Sequence, residues 1–189
     1  GRLRLWGLMP VCVALAMMLM TPAPDVLVAG DGRQIAVAGD DEQLLVLREG
    51  EGYALDSLRE AAAVEGEPLA IERAPGARCS PDFCALELRR DRRNWSLLVA
   101  RSKHYVDARQ LIAACAAVDV VIAARSLPRS CAPRWLKADG RFLRDHGGLA
   151  LYLNQSPRLV TVGETQGEHG WWRPGGEDRV NPIAPLRRP

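Results

Sequence analysis

Histidine is scarce in this chain. Its 189 residues hold three, His104, His146 and His169, and no two stand at a metal-ligand spacing such as H-x-H or H-E-x-x-H. Each reads first as a surface or loop side chain. No serine falls in a G-x-S-x-G elbow, and no glycine-rich run enters a helix, so Asp31-Gly32 is a turn rather than half of a phosphate loop. The acid pair Asp40-Asp41 sits in an expected turn and is most simply solvated. Aromatics make up only 5% of the chain, and five of the ten are Trp, so the core must be mostly Ala, Val and Leu. Lysine is nearly missing, with Lys103 and Lys137 against 23 Arg, an imbalance that a coding bias can produce without any function. A strong charge of one sign is missing too. The net charge of +2 belongs entirely to Arg2 and Arg4, because 23 basic residues match 23 acidic ones from Asp25 onward. A neutral domain exerts no bulk pull on nucleic acid or anionic membrane.

What is present allows one packed domain. Hydrophobic residues are 48% of the total, which excludes wholesale disorder, and the length leaves room for one small extra element. That element stands at the N-terminus. Leu5 to Pro24 is a run of twenty residues without a charge, about the span of a bilayer at ~1.5 Å per residue. Arg2 and Arg4 on one side and Asp25 on the other put the N-terminal end in the cytoplasm and the rest outside. Trp6 suits the interface, and Pro10 is tolerated within a membrane. The leading expectation is a transmembrane helix over residues 1–24. A signal peptide competes, although no small-x-small cleavage site follows Met20, and so does a buried core helix. A start at Gly1, four residues before the apolar run, reads as the C-terminal piece of a longer membrane protein.

Four cysteines follow in the outer part: Cys79, Cys84, Cys115 and Cys131. In an oxidising compartment they predict two disulfides with three possible pairings. The local pairing, Cys79 with Cys84 and Cys115 with Cys131, is favoured because each pair brackets one loop. Two alternatives stay open: buried free thiols, since Cys115 shares an apolar helix face with Leu111 and Val118, and a four-thiolate zinc site, although neither pair forms a C-x2-C knuckle.

Hydrophobic patterning then lays out the domain. Asp25–Ala29, Gln34–Ala38 and Leu44–Leu47 read as a three-stranded meander with Asp31-Gly32 at its first turn. Ser57-x-x-Glu60 resembles a capping box opening a short helix with Leu55, Leu58 and Ala62 on one face. A strand near Leu69–Glu72 precedes a loop from Ala74 to Phe83. Ala85–Arg89 and Trp95–Ala100 are further strands, and Asp107 caps a helix running to about Val118. Asp119–Ala124 has no polar break after Asp119, as expected of a strand covered on both faces. A Pro-rich loop from Leu127 to Trp135 leads to a short helix near Arg141–Asp145, and strands Leu149–Leu153 and Arg158–Val162 close the set. Strands followed by strand-helix-strand make a mixed α/β layered domain over residues 25–163. Residues 164–189 read as a flexible Pro/Gly/Arg tail, with Trp171 and Trp172 as a pair able to dock back on the domain.

Basic character is local. Arg89, Arg90, Arg92 and Arg93 surround a turn beside Trp95, while Arg125, Arg129 and Arg134 line the loop that ends at Trp135. Arginine beside tryptophan can engage a phosphate backbone and stack on a base, whereas arginine on a hairpin is often only a solvated turn.

Several segments together resemble the ComEC family of competence proteins, the inner-membrane channels for bacterial DNA uptake, in their C-terminal region. The segments are Pro22-Ala-Pro-Asp-Val-Leu-Val with Asp31-Gly-Arg, Asp119-Val-Val-Ile-Ala-Ala-Arg-Ser-Leu-Pro-Arg, Cys131-Ala-Pro-Arg-Trp-Leu-Lys and Gly147-Gly-Leu-Ala-Leu-Tyr-Leu. The resemblance spans about Arg2 to Trp171. It implies a metallo-β-lactamase-like fold, in which such domains carry an H-x-H-x-D-H motif for two metals. Here the corresponding stretch after Val120–Ala124 reads Arg125-Ser-Leu-Pro-Arg129, so the implied domain is degenerate, metal-free and without a cofactor. The expectation is therefore a non-catalytic, structural or DNA-guiding periplasmic domain anchored in the inner membrane. Its implied partners are single-stranded DNA, the rest of the same polytopic channel and other competence proteins. The expected contact residues are Arg89, Arg90, Arg92, Arg93, Trp95, Arg129, Arg134 and Trp135. A metal-dependent nuclease built on the three histidines and a secreted disulfide-stabilised binding module are the alternatives.

Overall fold

A computed structural model describes residues 8–39, 43–50, 52–64 and 66–166. The chain opens with helix α1 (Leu8–Met20), thirteen apolar or small residues with no charge to give it a polar side. The side chains from Met9 to Met18 and that of Met20 are exposed, so it is not a core helix. At ~1.5 Å per residue it is about 20 Å long. No helix among the described residues is long and apolar enough to cross a membrane, and the expected span begins outside them.

Period-two alternation then sorts the strands into two sheets. The first has six strands in the order β11-β10-β1-β2-β3-β4: β1 (Val26–Val28), β2 (Ile35–Ala38), β3 (Leu44–Val46), β4 (Leu69–Ala70), β10 (Leu149–Tyr152) and β11 (Arg158–Thr161). Its pairs are antiparallel except β3–β4, which is parallel and bridged by helix α2 (Tyr53–Ala62). The second sheet has the order β5-β6-β7-β8-β9: β5 (Arg78–Cys79), β6 (Phe83–Arg90), β7 (Arg93–Ala100), β8 (Val120–Ile122) and β9 (Leu136–Ala138). Here β5-β6-β7 is antiparallel, and helix α3 (Ala108–Ala116) crosses between the parallel neighbours β7 and β8. The expected meander and the strand-helix-strand unit are both present.

Three apolar clusters define four layers. Inward residues of both sheets, among them Val26, Ile35, Val37, Leu97, Val99 and Ile122, meet in one large core. The outer face of the five-stranded sheet packs against α3 through Leu98, Val121, Leu111 and Cys115. The outer face of the six-stranded sheet meets α2 through Leu27, Ala36, Leu44, Val46 and Leu55. The order is helix, sheet, sheet, helix, with mixed sheets in the middle. Strand β8 is covered on both faces as expected, all three residues being 0% exposed.

Both disulfides form with the local pairing. Cys79 and Cys84 face each other across β5 and β6, and Cys115 of α3 is bonded to Cys131 of the loop before β9. Neither a free thiol nor a zinc thiolate remains at these positions.

Four local expectations are corrected. Helix α2 starts at Tyr53 with Gly52 as its N-cap, so Ser57 lies inside the helix and caps nothing. The Ala74-to-Phe83 loop contains β5, and an unexpected strand, β9, follows the Leu127-to-Trp135 loop before the next helix. Finally, helix α5 (Val162–Thr165) follows β11, closed by a reciprocal capping box between Thr161 and Glu164, so order reaches past residue 163. Between α3 and this segment, Asp139 accepts from the amides of Arg141 and Phe142 and opens helix α4 (Gly140–His146). Residues 167–189, with Trp171 and Trp172, lie outside the described residues.

Candidate nucleic-acid interface

The β6–β7 hairpin places most of the expected contact residues, and its alternation divides them. Leu86, Leu88 and Arg90 are at i, i+2 and i+4 of β6 and share the inward face. Arg90 therefore needs a buried acceptor, and Asp25 supplies it. Its Nε donates to Asp25 Oδ1 at 2.6 Å, and its Nη2 donates to the carbonyl of Ala38. Both charged side chains are only 18% exposed. The other oxygen of Asp25 accepts from the amide of Leu153. Arg90 thus ties the second sheet to the first, and it is not offered to a ligand. Trp95 stands in step with Leu97 and Val99 on β7 and is 1% exposed, with its Nε1 buried and unpaired. Its face is not open to a base. Asp25 is one residue that reading the sequence missed; an arginine in register with two core leucines was the available signal.

The strands are joined by Asp91 and Arg92, both with positive φ (46° and 68°), the backbone that a two-residue hairpin turn requires. Arg89 and Arg92 are exposed here. Beside them, at the start of β7 and β8, lies a knot around Asp119, a second residue the sequence reading left unassigned. Asp119 is 4% exposed. One of its oxygens accepts from the amide and hydroxyl of Ser96, both at 2.9 Å. The other accepts from Arg134 Nε at 3.0 Å and lies 3.7 Å from an Arg93 guanidinium nitrogen. Arg134 also donates to Ser96 Oγ and to the carbonyl of Ala117. Burial alone would raise the Asp119 pKa, but the hydrogen bonds from Ser96 and Arg134, with the Arg134 charge, outweigh it and hold the carboxyl below the ordinary aspartate value. The knot fixes where both guanidiniums point.

Arg93 lies over the buried Trp95 ring, 3.8 Å from its centroid, and the Trp135 ring stands 5.2 Å from that of Trp95. The side chains of Arg93 and Arg134 stay 53% and 56% exposed. A guanidinium backed by an indole presents a flat cationic surface on which a base can stack and beside which a phosphate can sit. Four arginines, Arg89, Arg92, Arg93 and Arg134, with the half-buried Trp135, thus cluster at one end of the five-stranded sheet. Arg129 does not join them. It is exposed on the loop between β8 and β9, close to Pro128, whose carbonyl Lys137 reaches. Arg125 follows the far end of β8 and lies near Phe83 and Tyr105.

The described histidines stand apart from this cluster. His104 is exposed and 3.7 Å from Asp82, and His146 stacks on Phe142 with ring centroids 4.3 Å apart; His169 lies outside the described residues. Among the described residues, no group of three or more His, Cys, Asp or Glu could hold a metal ion. The chain matches no family model, no curated protein and no solved structure.

Proposed function

We propose that this domain guides single-stranded DNA at the outer face of an inner-membrane uptake channel of the ComEC type, without carrying out catalysis itself. The observation that carries the reading is the group of exposed arginines at the β6–β7 tip together with Arg134 of the loop before β9, Arg93 and Arg134 both pairing with Asp119 and Arg93 lying over the Trp95 ring. In a domain with no net charge, such local clustering is what nucleic-acid binding needs. The helix-sheet-sheet-helix layering supports the degenerate metallo-β-lactamase-like fold that the resemblance implies. Arg125 to Arg129 occupy the stretch after β8 where that family carries metal ligands. Two disulfides support an oxidising, periplasmic location. The exposed apolar α1, inside the uncharged run Leu5–Pro24, supports an anchor that joins the domain to the rest of the channel and to other competence proteins.

The test is oligothymidylate binding by the whole chain across a salt series. Each phosphate contact contributes a slope of about 0.7 in log K against log salt for a single strand. Replacing Arg89 and Arg92 together by Ala should weaken binding and lower the slope by about 1.4, with folding unchanged because both side chains are exposed. Equal binding and equal transformation in wild type and variant would sink the guiding role. A secreted module shares the disulfides; finding polytopic membrane sequence upstream of Gly1 excludes it.

A further inference from the structure

Beside the arginines, the outer face of the five-stranded sheet is only partly covered. Helix α3 packs on β7 and β8 through Leu111, Cys115 and Val118, while β6 and β5 continue toward the sheet edge. Where α3 ends, it offers β6 only the short side chains of Ala114 and the C-capping Ala117. The result is a cavity of about 240 Å³. Ala85, Leu98 and Val118 give it an apolar floor, and Arg78, Glu87 and Ser96 a polar mouth. A site of this size is smaller than those for drug-sized ligands and admits one flat ring.

The alternation of β6 joins this cavity to the arginines. Ala85, Glu87 and Arg89 lie at i, i+2 and i+4 on the outward face, so Arg89 stands about 7 Å beyond Glu87 along the strand. From another side, Arg134 donates to Ser96 Oγ at 2.8 Å and to the carbonyl of Ala117 at 3.0 Å, both residues of the cavity lining. Two exposed guanidiniums thus stand beside an apolar slot. A nucleotide has the matching composition: an anionic phosphate joined to a flat ring with an apolar face and polar edges. At the mouth, Glu87 Oε1 accepts from Arg78 Nη2 at 3.3 Å, and both side chains are largely exposed. Such a pair is weak, and the second Glu87 oxygen has no partner among the described residues. A carboxylate accepts from an exocyclic amino group, as from cytosine N4, and a neighbouring guanidinium can donate to the acceptors beside that group. Thymine carries a carbonyl where cytosine carries the amino group, and that carbonyl would meet the Glu87 carboxylate.

We propose that the cavity between α3 and β6 is a pocket for a nucleobase with an exocyclic amino group, while Arg89 and Arg134 hold the adjoining phosphates. The inference rests on the DNA-guiding reading and adds a seat for the base to the phosphate contacts.

Fluorescence anisotropy of the whole chain with deoxycytidine, deoxythymidine and abasic oligomers of one length gives the test. The deoxycytidine oligomer should bind about tenfold tighter than the deoxythymidine one, with the abasic chain weakest. Glu87→Ala removes the acceptor at an exposed position and should abolish the preference without weakening the deoxythymidine oligomer, whose phosphate contacts persist. Ala117→Leu, also at an exposed position, fills the slot and should abolish the preference while the salt slope stays that of the wild type. Circular dichroism checks that both variants stay folded. Equal binding of all three oligomers, or a preference for deoxythymidine, overturns the pocket and leaves the arginines as phosphate contacts. A deoxycytidine preference that either variant leaves intact overturns it too. If none of the three oligomers binds, the guiding function falls and the pocket with it.

Discussion

The two halves of the sandwich are built by the same construction and finished differently. In each, antiparallel strands are followed by a helix that crosses to a parallel strand: β2-β3-α2-β4 in the first, β6-β7-α3-β8 in the second. Helix α3 is held at both ends. Asp107 accepts from two amides of its first turn at 3.0 Å, and Cys115 near its end is bonded to Cys131. Helix α2 begins at Gly52 with no side-chain cap, ends at Ala63 in the left-handed region (φ 53°), and has no covalent tie. The parallel strand that α3 leads to is completely buried, whereas β4 has two residues on the sheet edge. The first half leaves an apolar groove of about 630 Å³ beside α2 on its outer face, and the second a smaller opening of about 240 Å³ beside α3. The same architecture thus supplies a rigid side and an adaptable side, and the arginine tip belongs to the rigid one.

The contrast can be broken most strongly in the two helix cores. Leu111 of α3 and Leu55 of α2 are both about 5% exposed or less. Truncating either to Ala removes similar apolar surface, but the cost depends on whether the surroundings can collapse. Leu111→Ala, enclosed by a disulfide and a two-sided strand, should cost about 4 kcal/mol; Leu55→Ala, beside an open groove, about 2–3 kcal/mol. Urea unfolding of each variant measures the difference, and equal costs would dissolve the distinction. Next comes the covalent tie. Replacing Cys115 and Cys131 by Ser releases a loop with a sequence separation of 16, worth about 3 kcal/mol. The same change at Cys79 and Cys84, separation 5, should cost about 2 kcal/mol.

Acid should act on the rigid half through Asp119. Its folded pKa lies below the ordinary aspartate value, so the unfolded chain binds the proton more readily. The stabilisation from its ionised form is therefore complete above about pH 4 and is lost as pH falls through the lower folded value. Asp119→Asn should cost about 1–3 kcal/mol at neutral pH, because Arg134 and Ser96 lose their charged acceptor. Its stability should also fall less between pH 4 and pH 2 than that of the wild type. Parallel acid profiles for the two proteins would remove Asp119 from this role.

How far these features could be read from the sequence depends on whether a local rule carried them. Asp107 as a helix cap, the Asp31 turn and the run after Asp119 follow from neighbours in the chain, and all three stand as expected. Strand β9 did not show itself. Three residues, Leu136-Lys137-Ala138, are too few for a period, and the strand is held by pairing with β8. The expected contact residues divided for the same reason. Arg89 and Arg92 are outward by position alone, but Arg90 and Trp95 are claimed by the core, and Asp25, which partners Arg90, lies 65 residues away. The alternation that placed Leu88 and Leu97 inward already applied to both. Composition drew them into a basic-aromatic group; geometry returned them to the fold.

The finest test of the comparison is at the helix starts, where effects are near 1 kcal/mol. Asp107→Ala leaves the amides of Arg109 and Gln110 without their acceptor and should cost about 1 kcal/mol. Reading Ser57-x-x-Glu60 as a capping box assigns a similar cost to Ser57→Ala. In the folded chain Ser57 sits within α2, four residues after its first residue Tyr53, and its hydroxyl caps no amide. Ala is also the better helix former at an interior position. Ser57→Ala should therefore be neutral or stabilising by a few tenths of a kcal/mol, and paired thermal melts of the two variants resolve the difference. A loss near 1 kcal/mol at Ser57 would mean that α2 starts later than Tyr53, which would move its first turn off the groove wall.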